Sequence, residues 1–541
     1  MQGKEEVSDS PDTQRSWSRD SKAGPWDAIV VGSGIGGMVA SALLAKLGRR
    51  VLVLEQHYVP GGFTHTFSRR EYTWDVGVHA VGEMTERGIP GRMFAALTDG
   101  RLRWTSLGPV YDSFTMPDGL RIDYPDNPRQ FRENLVEAFP VEAEAIDRYL
   151  QFSREVSKDM RAYYVSRALP PSLGSMFDRL FARKARRHLS ATVADTVSGL
   201  TNDPRLRTMF AAQWGYYGAT PSHASFSIQA AVVSHFLWGG YYPVGGSDRI
   251  AHELLRTVAD AGGWTRIRAD VREVILESGR AVGVRLADGE DIRAPVVVSA
   301  VGAIPTVTKL LPESARGAGW TSDVARLRPG PAHICLYLGF KGDIRSGGAS
   351  PYNQWFYDTW NCEEGGWRVS PSAPPGSAPI LYVSFPSLKD PTHKPGPEHC
   401  HTGEVITFVP WEEFLPWRDK KWKRRGEDYE SFKQRLRDSM LEQFFRRLPE
   451  LRPMLDYVEL STPVSTDHFV RAAGGSIYGL ESTPERFNCK WLRSVTPVPG
   501  LLLAGVDAAG PGVMGGAMGG LLAAVSAEPI GALRWLRSKV F

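Results

Sequence analysis

The sequence predicts an α/β protein: a parallel, doubly wound sheet assembled from both chain ends, with an α+β unit inserted between them. Three observations carry this. A short apolar run at 27–31 leads into a glycine-rich turn, a helical pattern and a second apolar run at 51–54. Another apolar run, glycine-rich turn and helix follow one another over 501–527. Residues 264–300 read as strands, a hairpin and a returning buried strand.

The first run ends in Val30 and Val31 and is rich in β-branched residues, as suits a strand buried on both faces. Gly32, Ser33, Gly34, Ile35, Gly36 and Gly37 follow at once, then a helical pattern from Met38 to Leu47 that Gly48 closes. Val51 to Leu54 form the next strand, with Glu55 at its end. Together these make a complete Rossmann-type βαβ unit. Gly32 permits the tight turn, Gly34 lets backbone approach a pyrophosphate, and Gly37 lets helix pack closely on strand. The helix N-terminus turns free N–H groups and a positive dipole end toward the phosphates. Glu55 suits a ribose hydroxyl and would repel a 2′-phosphate.

The fingerprint alone does not choose between dinucleotides. A second glycine pair, Gly61 and Gly62, precedes Phe63 and Thr64 and points to backbone passing close to a long ligand. At the other chain end, Gly505 and Asp507 lead into Gly512, Val513, Met514 and Gly515, again a strand, a turn and a helix N-terminus. A site built from both ends fits FAD better than NAD.

In the middle, 249–261 reads as a helix and the strands near 265–267, 271–275 and 282–286 follow, the last pair turning near Asp288 and Gly289. The run 296–300, ending at Ala300, returns to the parallel sheet. The dinucleotide domain is therefore expected over 25–90, 243–310 and 491–541, and the substrate domain over 91–242 and 311–490. Residues 1–24 are polar and charged, and read as a disordered tail.

Hydrophobic residues are 42% of the 541 and charged residues 23%, a globular balance. A net charge of +4, with no arginine stripe interleaved with aromatics, argues against nucleic acid as a partner. The four cysteines form no CxxC pair and read as reduced thiols. His399, Cys400 and His401 lie in a Pro/Gly-rich stretch with no second ligand pair, so a polar surface loop is expected and no metal. The sequence lacks a signal-peptide core and any apolar run of membrane-spanning length. The expected location is cytoplasmic, or peripheral on the cytoplasmic face of a membrane.

Three segments have two readings each. Residues 175–189 alternate apolar and basic groups at helical spacing, fitting a helix in a headgroup layer or a solvated helix on its own domain. Residues 417–425 are strongly basic and read mainly as a surface loop before a long helix. The aromatics of 211–238, among them Trp214, Tyr216 and Tyr217, fit either a tunnel for a long apolar substrate or ordinary core.

The motif at 27–37, the run Val51 to His57, Gly61 and Gly62, His65 to Phe67 and Asp75 to His79 resemble the FAD-dependent amine-oxidase-like superfamily. The resemblance is to its phytoene desaturase, carotenoid isomerase and retinol saturase branch. Residues 242–247, 425–433 and 497–520 extend it. It implies that Val31 to Gly37 hold the pyrophosphate, and that Glu55, Gln56 and His57 surround the adenosine ribose. It also implies that Val271 meets the adenine through its main chain and that Ala300 and Gly505 border the cofactor. Gly61 to Thr64 would approach the flavin, Asp507 would bond the pyrophosphate-ribityl region, Met514 and Gly515 would border the isoalloxazine, and Gly512 and Val513 would also bind the cofactor. Phe63 and Thr64 stand where the retinol-reducing members carry a cysteine pair.

The implied activity is oxidation, reduction or isomerisation of an isoprenoid polyene, with an apolar small molecule as partner and peripheral membrane contact open. His79 and Tyr217 are the candidate proton carriers by position. A carotenoid cis–trans isomerase, a fatty acyl desaturase or reductase, and a non-catalytic flavin-binding lipid carrier are the alternatives.

Overall fold

The computed structural model describes residues 16–317 and 319–541. Its first sheet has six parallel strands in the order Trp17–Ser18, Trp264–Ile267, Val51–Glu55, Ala28–Val31, Val296–Ser299 and Leu501–Leu503. Side chains alternate across it, as strand geometry requires. Val30, Val51 and Val53 face the helices Ile35–Lys46, Asp248–Asp260 and Gly512–Ala527. Ile29, Val31, Leu52 and Leu54 face the three-stranded meander Val271–Glu277, Arg280–Leu286 and Asp291–Arg293. The chain reverses between the last two strands through Gly289, at φ +96°.

A second sheet has seven strands, in the order Leu455–Ser461, Ala332–Lys341, Cys400–Val409, Ile380–Ser384, Asn353–Tyr357, Val110–Thr115 and Arg121–Pro125. Only the pairing of Asn353–Tyr357 with Val110–Thr115 is parallel. One face packs Leu336, Leu338 and Val405 on the long helix Glu427–Arg447. The other packs Tyr337, Trp355 and Ile406 on the helical region around Ala143–Arg167 and Phe226–Phe236.

Several expectations change. Residues 1–15 of the expected tail lie outside the described residues, but 16–24 are ordered. Trp17–Ser18 adds an edge strand to the first sheet, and the Lys22 ammonium sits 3.4 Å from the centre of the Trp264 ring. The helix Ile89–Thr98 packs Met93, Phe94 and Leu97 into the core of the parallel sheet, so that unit runs past residue 90. The segment 175–189 is two helices, Pro171–Phe181 and Arg183–Ser190, broken at Ala182. Cys400 and His401 open a long strand, with Cys400 buried, so the expected surface loop is a correction there. Residues 418–426 do form a loop before the long helix, although Arg425 is buried and its guanidinium donates to the Val464 carbonyl. Among the described residues no helix is long and apolar enough to cross a membrane.

Candidate active site

The glycine turn is built for close approach. Gly32 has φ +93°, in the left-handed region that favours glycine. A Cβ on Gly37 would lie 2.1 Å from the Gly32 carbonyl oxygen, and one on Gly36 would lie 2.4 Å from Gly505 Cα. Those two glycines therefore serve packing. Gly34 differs: its backbone is extended at φ −61°, and a Cβ there would meet no atom within 4 Å. It caps the first helix without a side-chain bond, leaving the helix N-terminus open to an anion.

In front of Gly34 lies a cavity of about 730 Å³. Val31, Gly32, Gly34, Ile35 and Gly36 line it, as do Glu55, Gln56, His57, Gly62, Phe63 and Thr64. Val271, Ala300, Gly505, Asp507, Gly512 and Val513 complete the predicted set that reaches it. Val78, Ile477 and Tyr478, which the sequence did not single out as wall residues, add apolar surface.

Five predicted cofactor residues stand back from the cavity. Ser33 is buried and braces the site: its Oγ donates to Glu55 Oε2 at 2.6 Å and accepts from the Gly61 N–H at 3.1 Å. Glu55 also accepts from the Ser33 and His57 N–H groups, at 3.0 and 2.7 Å. Gly61 and Gly37 likewise lie behind the lining. Met514 and Gly515 are also absent from the lining: a Cβ on Gly515 would sit 2.0 Å from the Gly510 carbonyl oxygen, so that glycine packs on the turn that precedes its helix. Asp507 lines the cavity, yet its carboxylate already accepts from Ala303 N–H at 2.7 Å and Leu480 N–H at 2.8 Å. It ties two cavity loops together.

Tyr217 is a further correction. It is fully buried in the helical core, and its hydroxyl donates to Gln229 Oε1 at 2.8 Å. The aromatic stretch around it divides: Trp214 and Phe226 are core, while Trp238 is exposed.

His79 directly follows the cavity residues Gly77 and Val78, and its ring centre lies 5.3 Å from that of Tyr382. Its Nδ1 is 2.9 Å from Glu404 Oε2, although neither atom has an aligned hydrogen-bond partner. Burial, then Lys389, pushes the imidazole down to about 3. Burial drives the Glu404 carboxyl well above the usual range. The Lys389 Nζ spends its three protons on the His79 carbonyl, Asn353 Oδ1 and Ser384 Oγ, at 2.7, 2.6 and 2.7 Å. Burial lowers that ammonium to about 8. Asp75 and Asp112 are pushed up to about 6, chiefly by burial. Sequence reasoning missed Glu404 and Lys389. For Glu404 one signal existed: a lone acid between Gly403 and Val405 in an otherwise apolar run.

The cavity and its cradle fit an adenine dinucleotide carrying a flavin. A family model described as flavin containing amine oxidoreductase matches residues 35–402. The chain belongs to the flavin-containing amine oxidoreductase family. As a member of that family it is a flavin-dependent oxidoreductase, with FAD as its cofactor.

Among its relatives, the all-trans-retinol 13,14-reductase of Danio rerio is 31% identical over 502 residues, covering 89% of this chain and 82% of that one. The Homo sapiens protein of the same name is 32% identical over 521 residues, 92% and 84% of the two chains. Prolycopene isomerase 1, chloroplastic, of an Oncidium hybrid cultivar is 27% identical over 471 residues, 85% and 76%. In fold, the chain resembles a putrescine oxidase with TM-score 0.61 at 15% identity, covering 95% of this chain and 99% of that one. A Brevibacterium oxydans cyclohexylamine oxidase gives TM-score 0.57 at 16% identity, covering 93% and 99%.

Proposed function

We propose that this chain is an FAD-dependent oxidoreductase acting on a carbon–carbon bond of an isoprenoid polyene, in the manner of a retinoid or carotenoid saturase or desaturase. The observation that carries the reading is similarity to retinol 13,14-reductases over more than four-fifths of their length. The cradle and the apolar cavity wall support it.

Bound FAD supplies hydride exchange at its ring system. The chain's own residues bind, orient and exclude water. The N–H groups at the start of the first helix would hold the diphosphate, and Glu55 would accept from the ribose hydroxyls. The main chain at Val271 would meet the adenine. Gly62, Phe63, Thr64 and Val513 would border the redox ring, with Ile477 and Tyr478 presenting apolar surface to the substrate. His79 would handle a proton at the reacting carbon.

Peripheral membrane contact belongs to the same reading. Leu173, Met176, Leu180 and Phe181 on the helix Pro171–Phe181 are all more than half exposed. Arg183, Lys184, Arg186 and Arg187 follow on the next helix. Apolar side chains beside a cationic cluster suit an anionic lipid surface, from which a polyene would be drawn.

The test is turnover. FAD-loaded protein, reduced anaerobically, is mixed with all-trans-retinol and with carotenoids, and products are read by mass and chromatography. Flavin reoxidation with a two-hydrogen mass gain is expected. A product of unchanged mass and altered geometry would mark an isomerase. Conversion of acyl lipids alone, or tight polyene binding with no flavin change, would refute the reading.

A further inference from the structure

We propose that Glu404 is the proton store of this active site, passing its carboxyl proton to the reacting carbon through the imidazole of His79. Asp75 and Lys389 are positioning residues that hold the pair. The inference rests on the proposed carbon–carbon reaction, because hydride addition to one carbon of a double bond leaves its neighbour needing a proton.

Glu404 is fully buried on the strand Cys400–Val409. Its Oε1 is anchored by the Asp75 N–H at 2.8 Å. Its Oε2 lies 2.9 Å from His79 Nδ1, a contact without hydrogen-bond alignment, and has no hydrogen-bond partner elsewhere. Asp75 is fixed in turn by the Tyr242 hydroxyl at 2.5 Å and the Ser247 N–H at 3.3 Å. Lys389 grips the His79 carbonyl, which sets the backbone that carries the imidazole. One carboxyl oxygen is thus held and the other left free toward a ring.

The other ring nitrogen is buried without a partner as well. His79 Nε2, the Tyr382 hydroxyl, His333 Nδ1 and Ser476 Oγ are buried without partners, and Ser476 lines the flavin cavity. Buried polar atoms are nearly always paired, so each of these calls for a partner such as an ordered water or a ligand group. The cluster cannot be fully ionised either. Asp75, Asp112 and Glu404 share one buried ammonium, that of Lys389, and His333 faces His79 from the neighbouring strand. Burial favours the neutral form of both groups, raising the Glu404 carboxyl and lowering the His79 imidazole, so a proton exchanged across their 2.9 Å contact is biased toward Glu404.

In the reductive direction, bound reduced flavin would supply the hydride for the first C–H bond, its own oxidation balancing the reduction of the double bond. The His79 Nε2–H bond breaks as the second C–H bond forms from the former π pair. The Glu404 O–H proton moves to His79 Nδ1, leaving a carboxylate that solvent later reprotonates. The oxidative direction reverses each transfer.

Infrared difference spectroscopy and turnover of Glu404→Gln test this on the FAD-loaded protein. A protonated-carboxyl band is expected in the parent at neutral pH and absent in Glu404→Gln. The variant amide still accepts from Asp75 N–H, so flavin content is expected unchanged while product formation falls about 10²- to 10⁴-fold. Should Glu404→Gln fail to fold, His79→Gln is expected to keep the carboxyl band and lose turnover to the same extent. Absence of the band in the parent, or parental turnover with an unchanged pH profile in either variant, overturns the proposal. A parent that converts no polyene but shows the band, lost in Glu404→Gln, refutes the proposed reaction and leaves the store standing.

Discussion

Replacing Gly34 by valine separates binding from folding. The φ of −61° is open to any residue, and no atom lies within 4 Å of the new Cβ. The substitution should therefore cost little stability, and restricting the unfolded chain offsets part of that. The valine methyls would stand where the diphosphate passes. If two main-chain bonds to a charged phosphate are lost, at roughly 1.5–3 kcal/mol each, FAD binding weakens by about 3–6 kcal/mol, or about 10²- to 10⁴-fold. Gly37→Ala is the contrast, because its methyl meets the Gly32 carbonyl at 2.1 Å and must displace backbone. Flavin fluorescence titration reports binding, and thermal unfolding of the apoprotein reports stability. Gly34→Val should unfold like the parent and stay colourless, whereas Gly37→Ala should unfold early. A fully flavinated Gly34→Val protein, or two variants that unfold alike, would refute the division between cradle and packing glycines.

Glu55→Ala should weaken FAD by about 1–3 kcal/mol in the same titration, and should also lower the apoprotein melting point because Ser33 loses its acceptor. Tyr217→Phe should leave turnover at the parental level and destabilise by about 1–3 kcal/mol, since it strips Gln229 Oε1 of its donor. A hundredfold drop in turnover would return Tyr217 to the active site. Burial, then His79, lowers His333 from 6.5 to about 4, so the unfolded chain binds a proton in that window that the fold refuses. Stability is intact above pH 6.5 and lost as pH falls through about 4; denaturant titration should show His333→Phe sparing about 3 kcal/mol of that loss. Leu180→Asp with Phe181→Asp should cut sedimentation with anionic vesicles by about two orders of magnitude, as two apolar side chains no longer insert. An unchanged bound fraction would count against that helix as the contact.

What was legible in the sequence was local. Gly32, Gly34 and Glu55 sit in one βαβ unit, where spacing along the chain is spacing in space. The polar cluster was illegible because Asp75, Lys389 and Glu404 come from separate segments and meet only through the second sheet and its neighbouring hairpin. Aromatic density around Tyr217 did not distinguish a lining from a core, since both demand large apolar side chains. Gly515 misled for a related reason: a glycine needed by a ligand and one needed by a neighbouring carbonyl look alike in one dimension. The edge strand Trp17–Ser18 hid in a polar context because its partner, Trp264–Ile267, lies far along the chain.

The meeting of Gly36 with Gly505, and of Gly520 with the Gly36 carbonyl oxygen, joins the first and last stretches of the polypeptide in methyl-free contact. During synthesis the amino-terminal half of the nucleotide pocket must therefore wait, open on one side, until residues 505–520 have left the ribosome. Prosthetic-group loading becomes a late quality gate, and a nonsense codon before residue 505 would yield a protein unable to retain its flavin.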